Sequence, residues 1–433
     1  MSRLSIILLI AALVGGCGAP AGSAPAASAQ PEPAGIELAA AEVPLLATTA
    51  DDAAKAGAAV NAFGLDIYGR LAAQEPGKNL VISPASIALA LAMARAGAKG
   101  QTAAEMDAVL RDLGTDANAA WVAALHLALN ARTASFEDQS GAKHDVTLRV
   151  VNAPFAQRDY TLQQPYLEAL SSRFDAGLRL VDYKTAAEAA RAAINAWVAG
   201  HTEDRIKELI AVGTLDADTR LVLVNAMYLK AAWRDPFSED SPDAPFTLAD
   251  GTVIGVPTML GGGSDVPYAK GDGWQAVQVP YVGGTLGMLV ILPDDLATFE
   301  AGLDATALAA ITDAIAPSTV YLHLPRFAAQ TSTDVGELLK SMGMPTAFTS
   351  AADFTGITKE EPLQIGAVIH QANIDVSEKG TEAAAATAVE MASGSAPAEP
   401  VELQVDHPFL FALRDLETGA VLFLGRITDP STK

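Results

Sequence analysis

The chain has 433 residues, of which 50% are hydrophobic, so it can form one large core or two to three ordinary domains. Its formal net charge is −23 and its isoelectric point is about 4.5. This charge argues against nucleic acid as a partner, because phosphate binding needs clustered Lys and Arg. A single cysteine also excludes a disulfide framework.

Residues 1–17 have the order of features of an export signal. Arg3 supplies the positive start, residues 4–14 form an apolar run, and two glycines precede Cys17. The apolar run is too short to cross a bilayer as a helix. The stretch that ends at Cys17 resembles a bacterial lipoprotein box, which implies that Cys17 is lipid-modified and tethers the protein to a membrane. An ordinary signal peptide of a secreted protein, with an incidental cysteine, is the alternative.

Residues 18–50 are rich in Ala, Pro, Ser and Gly and contain few large apolar groups. Such a composition cannot bury enough surface to order itself, so we expect a disordered tether. Residues 51–433 then contain the folded domain.

The first elements of the folded part alternate between helix and strand. An apolar stripe predicts a helix from about Asp51 to the Pro-Gly pair at 76–77. Residues 80–82 read as a short buried strand, and Ser83 is a suitable N-cap for the helix that follows. Thr102 and Glu105 have the spacing of a capping box, which predicts a further helix start.

The remaining pattern mixes one strong helix with many strands. Residues 186–199 are helical, and turns are expected at 250–251 and 283–284. Apolar alternation or continuity predicts strands near 146–150, 221–229, 288–292, 320–324, 363–376, 407–411 and 420–426. Helices that alternate irregularly with hairpins indicate a mixed α+β fold with largely antiparallel sheets.

Two polar residues stand inside apolar strands. Asn225 is the one polar residue in the run 221–229, and His370 shares a strand face with Val368 and Ala372. A lone histidine in such surroundings is most often a hydrogen-bonded core residue.

A small-residue segment from Glu378 to Ser395 has two distinct faces when it is read as a strand. Glu382 and Glu390 fall on one face, whereas Val389 and Met391 fall on the other. Its four successive alanines equally suit a helix, and the Gly, Ser and Pro that follow suit a loop.

The ten residues from Glu378 to Thr387 resemble the hinge of an inhibitory serpin, the serine protease inhibitor family. Residues 79–106, the strand around Asn225 with the Trp233 that follows it, and the closing hairpin of residues 407–426 resemble serpin segments as well. The resemblance covers the chain from about residue 51 to its end. It implies a large central, mostly antiparallel sheet, smaller sheets, eight to nine helices and an exposed reactive-centre loop.

The resemblance also implies roles for individual residues. A buried cluster beneath the main sheet, the shutter, corresponds to Ser83, Ser86, Asn225 and His370. Trp233 corresponds to the breach, where the sheet opens. The loop hinge corresponds to Glu378, Lys379, Gly380, Thr381, Glu382, Ala383, Ala384, Ala385, Ala386 and Thr387. Counting from the hinge places the cleaved bond at Gly394–Ser395, with Met391–Ala392 and Ser393–Gly394 as runners-up.

The implied function is irreversible inhibition of a serine protease by a monomer. The protease cleaves the loop, remains attached as a covalent acyl complex, and is carried along as the loop inserts into the main sheet. Small residues at the cut favour elastase-like or subtilisin-like targets, and residues 380–405 contain no Lys or Arg for a trypsin-like pocket. No metal, cofactor or catalytic motif is found in the sequence. A non-inhibitory serpin that acts as a surface binding lipoprotein, an inhibitor of papain-like cysteine proteases and a hydrolase are the alternatives.

Overall fold

Two large sheets organise the described residues, 31–137, 142–381 and 400–432, of a computed structural model. Residues Glu32–Lys433 make up one compact unit. The helices are α1 Ala50–Gln74, α2 Pro84–Arg95, α3 Gly100–Val109, α4 Ala119–Asn130, α5 Gln164–Phe174, α6 Tyr183–His201, α7 Leu296–Ala301, α8 Ala305–Ala314 and α9 Gly336–Met342.

The strands fall into the two sheets and two short hairpin extensions. In chain order they are β1 Glu37–Ala39, β2 Leu80–Ile82, β3 Ala134–Glu137, β4 Lys143–Gln157, β5 Leu178–Val181, β6 Leu221–Ala232, β7 Asp243–Thr247, β8 Val253–Gly271, β9 Trp274–Pro280, β10 Leu286–Pro293, β11 Ala316–Pro325, β12 Phe327–Asp334, β13 Ala367–Ser377, β14 Gly380–Thr381, β15 Val401–Gln404, β16 Phe409–Asp415 and β17 Val421–Ile427. Helices and strands are interspersed along the chain, which confirms the predicted α+β class.

The main sheet has the order β1-β5-β4-β6-β14-β13-β12. Its central strands β6 and β13 run parallel and pair directly over six positions, from Val222 opposite Ala367 to Met227 opposite Ala372. We call the boundary between β6 and β13 the seam. At the end of the seam near Ala232, which we call its hinge end, β14 lies between the two strands and pairs antiparallel with both.

The second sheet has the order β15-β11-β8-β9-β10-β16-β17-β2. The predicted closing hairpin lies near the β2 end of this order, and its strands β16 and β17 are buried along nearly their whole length. Such two-sided burial explains why these strands read as continuous apolar runs rather than as alternating ones.

Helix α6 covers one face of the main sheet. Its apolar side chains Ile194 and Trp197 share a buried cluster with Val222 and Val224 of β6 and with Ile369 of β13. These sheet residues have a parity opposite to that of Asn225 and His370. The helix therefore lies over the seam on the face away from the two polar residues.

Helix α1 begins as its sequence predicts. The Thr49 hydroxyl accepts a hydrogen bond from the Asp52 amide, and the Asp52 carboxylate accepts one from the Thr49 amide in return. This reciprocal pair satisfies two of the free amides of the first turn. The predicted stripe of apolar side chains on α1 is buried.

The capping box predicted at Thr102 and Glu105 is wrong. Helix α3 begins two residues earlier, at Gly100, and its N-cap residue Lys99 makes no side-chain cap. The Thr102 hydroxyl instead accepts a hydrogen bond from the Asp353 amide, and the Glu105 carboxylate accepts two from Thr346. Both side chains therefore form hydrogen bonds with residues distant in sequence instead of capping the helix.

The disordered tether predicted for residues 18–50 is too long at its carboxyl end, because residues from Glu32 onward contact the folded unit. Glu32 forms an ion pair with Arg179 at 2.9 Å, and β1 pairs antiparallel with β5 at the edge of the main sheet. The Leu46 amide donates to the Ser172 carbonyl at 2.8 Å. Backbone pairing does not require large apolar side chains, so composition could not reveal it. Residues 18–30 lie outside the described residues.

In the part of the chain that the structure describes, none of the helices combines the length and the apolar character that crossing a bilayer requires.

Candidate functional site

The hinge end of the seam is occupied by Gly380 and Thr381. Gly380 pairs with Ala232 of β6 and Ser377 of β13, and Thr381 pairs with Ala231 and Val376. Gly380 has φ +140°, and a Cβ atom on it would lie 2.1 Å from the Ala231 carbonyl oxygen. Only glycine fits this backbone position, because both the dihedral angle and the space exclude a side chain.

The Thr381 side chain is locked into the core at this point. It is 2% exposed, and its hydroxyl lies 2.6 Å from the Tyr281 hydroxyl. The Tyr281 ring stacks on Trp233 with the ring centroids 4.3 Å apart. The Trp233 indole in turn donates to the Ser377 carbonyl at 2.9 Å. The residue assigned to the breach therefore holds both the strand before the hinge and the ring that binds Thr381.

Glu378, two residues before Gly380, fixes the turn that leads from β13 into the seam. Its carboxylate accepts hydrogen bonds from Arg326, at 2.5 Å, and from Ser241. Burial opposes the charged form, but these two hydrogen bonds outweigh it and hold the pKa of Glu378 below its usual value. Lys379 lies 3.9 Å from Glu239.

A buried polar cluster crosses the middle of the seam. The Nε2 atom of His370 accepts from the Ser83 amide at 3.0 Å, so the proton of the neutral ring is on Nδ1 and is donated to Asn225 Oδ1 at 2.5 Å. The Asn225 amide donates to the Ile369 carbonyl at 3.1 Å. The cluster thus connects β6, β13 and the start of α2, and burial lowers the pKa of His370 to about 3.

The second serine of the predicted cluster has a different partner. The Ser86 hydroxyl donates to the Asn152 side chain on β4 at 2.8 Å, and the Ser86 amide donates to the Ser83 hydroxyl. The structure therefore brings Ser83, Asn225 and His370 into direct contact, whereas Ser86 joins them through Ser83.

A third group of contacts crosses the far end of the seam, near Leu221. The Glu361 carboxylate accepts from Tyr160 at 2.5 Å, from Lys184 of α6 at 2.8 Å and from Arg220 at 3.2 Å. Arg220 directly precedes β6, whereas Glu361 lies six residues before β13. Donation from Lys184 and Tyr160 lowers the pKa of Glu361 to about 2, so the group stays charged at neutral pH.

Sequence reasoning missed Tyr281, Arg326, Asn152 and Glu361. Asn152, a polar residue next to an apolar strand pattern, carried the same signal as Asn225. The other three lie at strand ends or in loops, where a polar residue is ordinary. The predicted residues Cys17, Glu382 to Thr387, Met391, Ser393, Gly394 and Ser395 lie outside the described residues.

The family description "Serpin (serine protease inhibitor)" matches residues 58–430. The chain belongs to the serpin family. This serpin is 40% identical over 379 residues to an uncharacterized serpin-like protein of Thermococcus kodakarensis, covering 86% of this chain and 85% of that protein. It is 35% identical over 385 residues to the leukocyte elastase inhibitor of Bos taurus, covering 86% and 99%.

The structure of uncleaved ovalbumin superposes on this serpin with a TM-score of 0.75 at 27% identity, covering 86% of this chain and 99% of ovalbumin. Family membership, together with an elastase inhibitor among the relatives, supports the protease-inhibitor class for this serpin.

The contact between Tyr281 and Thr381 leads to the first prediction. Tyr281→Phe keeps the ring stacked on Trp233 but leaves the buried Thr381 hydroxyl without this partner, at a cost of about 1–3 kcal/mol. We expect the Thr381 amide to exchange with solvent about tenfold faster or more, measured by hydrogen–deuterium exchange. Tyr268→Phe, which removes a hydrogen bond to Gln275 in the second sheet, is the matched control. Equal exchange in the wild type and Tyr281→Phe would show that this bond does not hold the hinge.

The buried imidazole leads to a second prediction. The pKa of His370 is about 3 in the folded chain and about 6.5 when unfolded, so the unfolded state binds one more proton between these values. This contribution to stability is complete above pH 6.5 and falls by at most about 1.4 kcal/mol per unit as the pH drops toward 3.

Urea midpoints measured from pH 7.5 to 4.5 test this dependence. The stability gap between wild type and His370→Gln should be widest at the top of the range and narrow on acidification. His407→Gln, at a partly exposed ring, controls for the loss of an imidazole as such. A gap that is constant with pH would mean that His370 is not buried in its neutral form.

Proposed function

We propose that this serpin inhibits serine proteases irreversibly as a suicide substrate and is an exported protein held at a membrane by a lipid on Cys17. The position of β14 carries the inhibitory part of the proposal. Two residues of the hinge already pair with both sides of the seam in the uncut chain. These two residues, which we call the seed, are the first pairs of a strand that could extend along the seam once the loop is cleaved.

The register of the seed fixes where each later residue would come. On the core face, residue 383 would lie between Leu229 and Ile374, and residue 385 between Met227 and Ala372. Thr387 would then come between Asn225 and His370. The loop thus offers small apolar side chains at apolar positions and a hydroxyl at the polar cluster.

The opposite face of the inserted strand would lie beneath α6. Ala386 and Ala388 would come beside Ala226 and Val224, which α6 already covers, so only small side chains fit there. Glu382 would come beside Lys230, near the uncovered hinge end. Glu390 would come beside Val222, two residues along β6 from Arg220.

The driving force is the gain in backbone hydrogen bonds when the inserted strand pairs with both β6 and β13. Insertion would replace the six direct pairs between β6 and β13 by antiparallel pairing on both sides of a new central strand. Some ten new hydrogen bonds at roughly 0.5–1.5 kcal/mol each would dominate the gain. Val389 and Met391 would each add roughly 1.5–3 kcal/mol on burial.

Inhibition requires that the cut loop inserts into the main sheet faster than water hydrolyses the acyl-enzyme. The protease serine attacks the carbonyl of the reactive bond, proposed as Gly394–Ser395, and the amine of the following residue leaves with a proton. The acyl-enzyme then holds the protease on the new carboxyl end of the loop. Insertion carries it to the far end of the seam before water can attack the ester.

The target class rests on the loop residues and on a relative. Small residues from Ala392 to Ser395 suit the shallow pockets of elastase-like and subtilisin-like proteases. The similarity to a leukocyte elastase inhibitor supports the same class.

Incubation with elastase, subtilisin, chymotrypsin and papain tests the inhibitory proposal. We expect a band that is stable in SDS, with the summed mass of serpin and protease, for elastase or subtilisin. Subtilisin without its catalytic serine should give none. Cleavage without any covalent band, for all four proteases, would identify a non-inhibitory serpin. A band with papain alone would identify an inhibitor of cysteine proteases.

A pair of hinge variants isolates the insertion step. Thr381→Arg places a charge at a buried position of the seam, so the loop should be cut but the covalent fraction should fall at least tenfold. Glu382→Arg introduces the same side chain one residue later, on the face that stays open near Lys230. The repulsion from this partly exposed lysine costs only about 1 kcal/mol or less, so this variant should retain most of the covalent product. Equal yields from the two variants would rule out the proposed register.

Labelling with a radioactive fatty acid tests the anchor. In a bacterial host that processes lipoproteins, the wild-type chain should incorporate the label and fractionate with membranes, whereas Cys17→Ser should do neither. An unlabelled wild-type chain would make Cys17 an incidental cysteine after an ordinary signal peptide.

A further inference from the structure

The large apolar side chains that stay exposed in the described residues are unevenly distributed. Leu38, Leu45 and Leu46 are 51%, 42% and 38% exposed and fall within nine residues of one another. The others, Val212, Val253 and Tyr321, are widely separated in the sequence. We call Leu38, Leu45 and Leu46 the leucine patch.

The leucine patch rests on one small region of the fold, the end of α5 and the turn that joins α5 to β5. A Cβ atom on Gly177 would lie 2.8 Å from a methyl carbon of Leu38, and the Leu46 amide donates to the Ser172 carbonyl. Between them, the Ala41 amide donates to the Ser171 hydroxyl at 3.1 Å. These contacts fix the backbone, and the leucine side chains remain accessible to solvent.

The leucine patch lies at the end of the main sheet opposite to the hinge. Strand β1 pairs with β5, and β5 pairs with the last residues of β4, which lie opposite Leu221 and Val222 at the start of β6. The hinge pairs with Ala231 and Ala232 at the other end of β6. Ten residues of strand separate the two ends, or roughly 33 Å.

The chain between Cys17 and the leucine patch is short. Fourteen residues lie between Cys17 and Glu32, where the ion pair with Arg179 begins the folded unit. Whatever its conformation, a chain of this length cannot span more than about 50 Å. An anchor on Cys17 therefore keeps this end of the sheet within reach of a bilayer surface.

The charges near the leucine patch select the kind of bilayer surface. Glu42 lies four residues after Leu38, Glu37 directly before it lies 4.0 Å from Arg158, and the whole chain carries a net charge of −23. Anionic headgroups would repel such a surface. Uncharged or zwitterionic headgroups leave the leucine side chains free to enter the boundary with the acyl chains.

From these observations we infer that the leucine patch is a membrane contact, which seats the anchored serpin with its α5–β5 end on a zwitterionic lipid surface. The inference rests on the proposed lipid on Cys17. The contact directs the hinge end of the seam away from the bilayer, so the reactive loop faces the solution from which a protease arrives.

The unique cysteine allows a direct test. A chain of residues 17–433 is coupled through Cys17 to a maleimide lipid in a phosphatidylcholine nanodisc, or to a maleimide polyethylene glycol as the reference. We expect hydrogen–deuterium exchange over residues 37–48 to slow at least threefold on the disc. The hairpin around Val253 should exchange equally in both samples. Replacing a third of the lipid by phosphatidylserine should weaken the protection.

Two sets of variants separate the leucine patch from apolar exposure in general. The combination Leu38→Ser, Leu45→Ser and Leu46→Ser should lose the protection, whereas Val212→Ser with Val253→Ser should keep it. Leu45→Trp retains the apolar character and should be quenched by brominated lipid in the disc, even where the triple variant folds poorly. Equal exchange on disc and polymer, with no quenching, would overturn the inference.

Two further measurements distinguish the membrane contact from a dimer contact and from a failure of the proposed inhibition. A dimer of the uncoupled chain that the triple variant abolishes would assign the leucine patch to contact between copies and overturn the inference. Covalent complex formation with elastase or subtilisin in solution should be the same for the triple variant and the wild type. A failure of inhibition would therefore appear in that assay alone, without affecting the exchange result.

Discussion

The rest of the molecule depends on one constraint: the third strand between β6 and β13, β14, is only two residues long. The two strands pair directly through the middle of the seam, whereas at its hinge end two residues of a third strand separate them. Parallel pairing is slightly less stable per residue than antiparallel pairing. A complete central strand would replace the parallel pairs by antiparallel ones on both sides. The sheet of the uncut chain is therefore less stable than the sheet that would contain this additional strand.

Three sets of contacts hold the seam in this state, each at a different level. Tyr281 and Glu378 fix the hinge end, the His370 cluster fixes the middle, and Glu361 joins the far end to α6. The middle cluster is neutral and buried, whereas Glu378 and Glu361 are charged. Opening the seam at the middle would break hydrogen bonds in a dry interior, which is costly unless an arriving hydroxyl, such as that of Thr387, replaces them.

The sequence alone predicted the α+β class, most of the strands and the burial of Asn225 and His370, because strand periodicity and an isolated polar residue are local signals. The family resemblance supplied the grouping of Ser83, Asn225 and His370. The contacts of Glu361 with Tyr160, Lys184 and Arg220 could not be predicted, since they join four separate stretches of chain. The ordered structure of residues 32–48 was missed for a related reason. This segment is held by the backbone pairing of β1, by the ion pairs Glu32–Arg179 and Glu37–Arg158, and by the single buried side chain of Ile36, none of which composition reveals.

The melting temperature of the chain before and after a single cut within residues 382–399 tests the central claim most directly. If the uncut fold stores conformational energy in the seam, the cut chain will insert its loop and melt about 10 °C higher or more, the shift that a gain of roughly 10 kcal/mol gives a chain of this length. Thr381→Arg, cut in the same way, should gain far less. A cut wild-type chain that melts at or below the temperature of the intact chain would contradict the account.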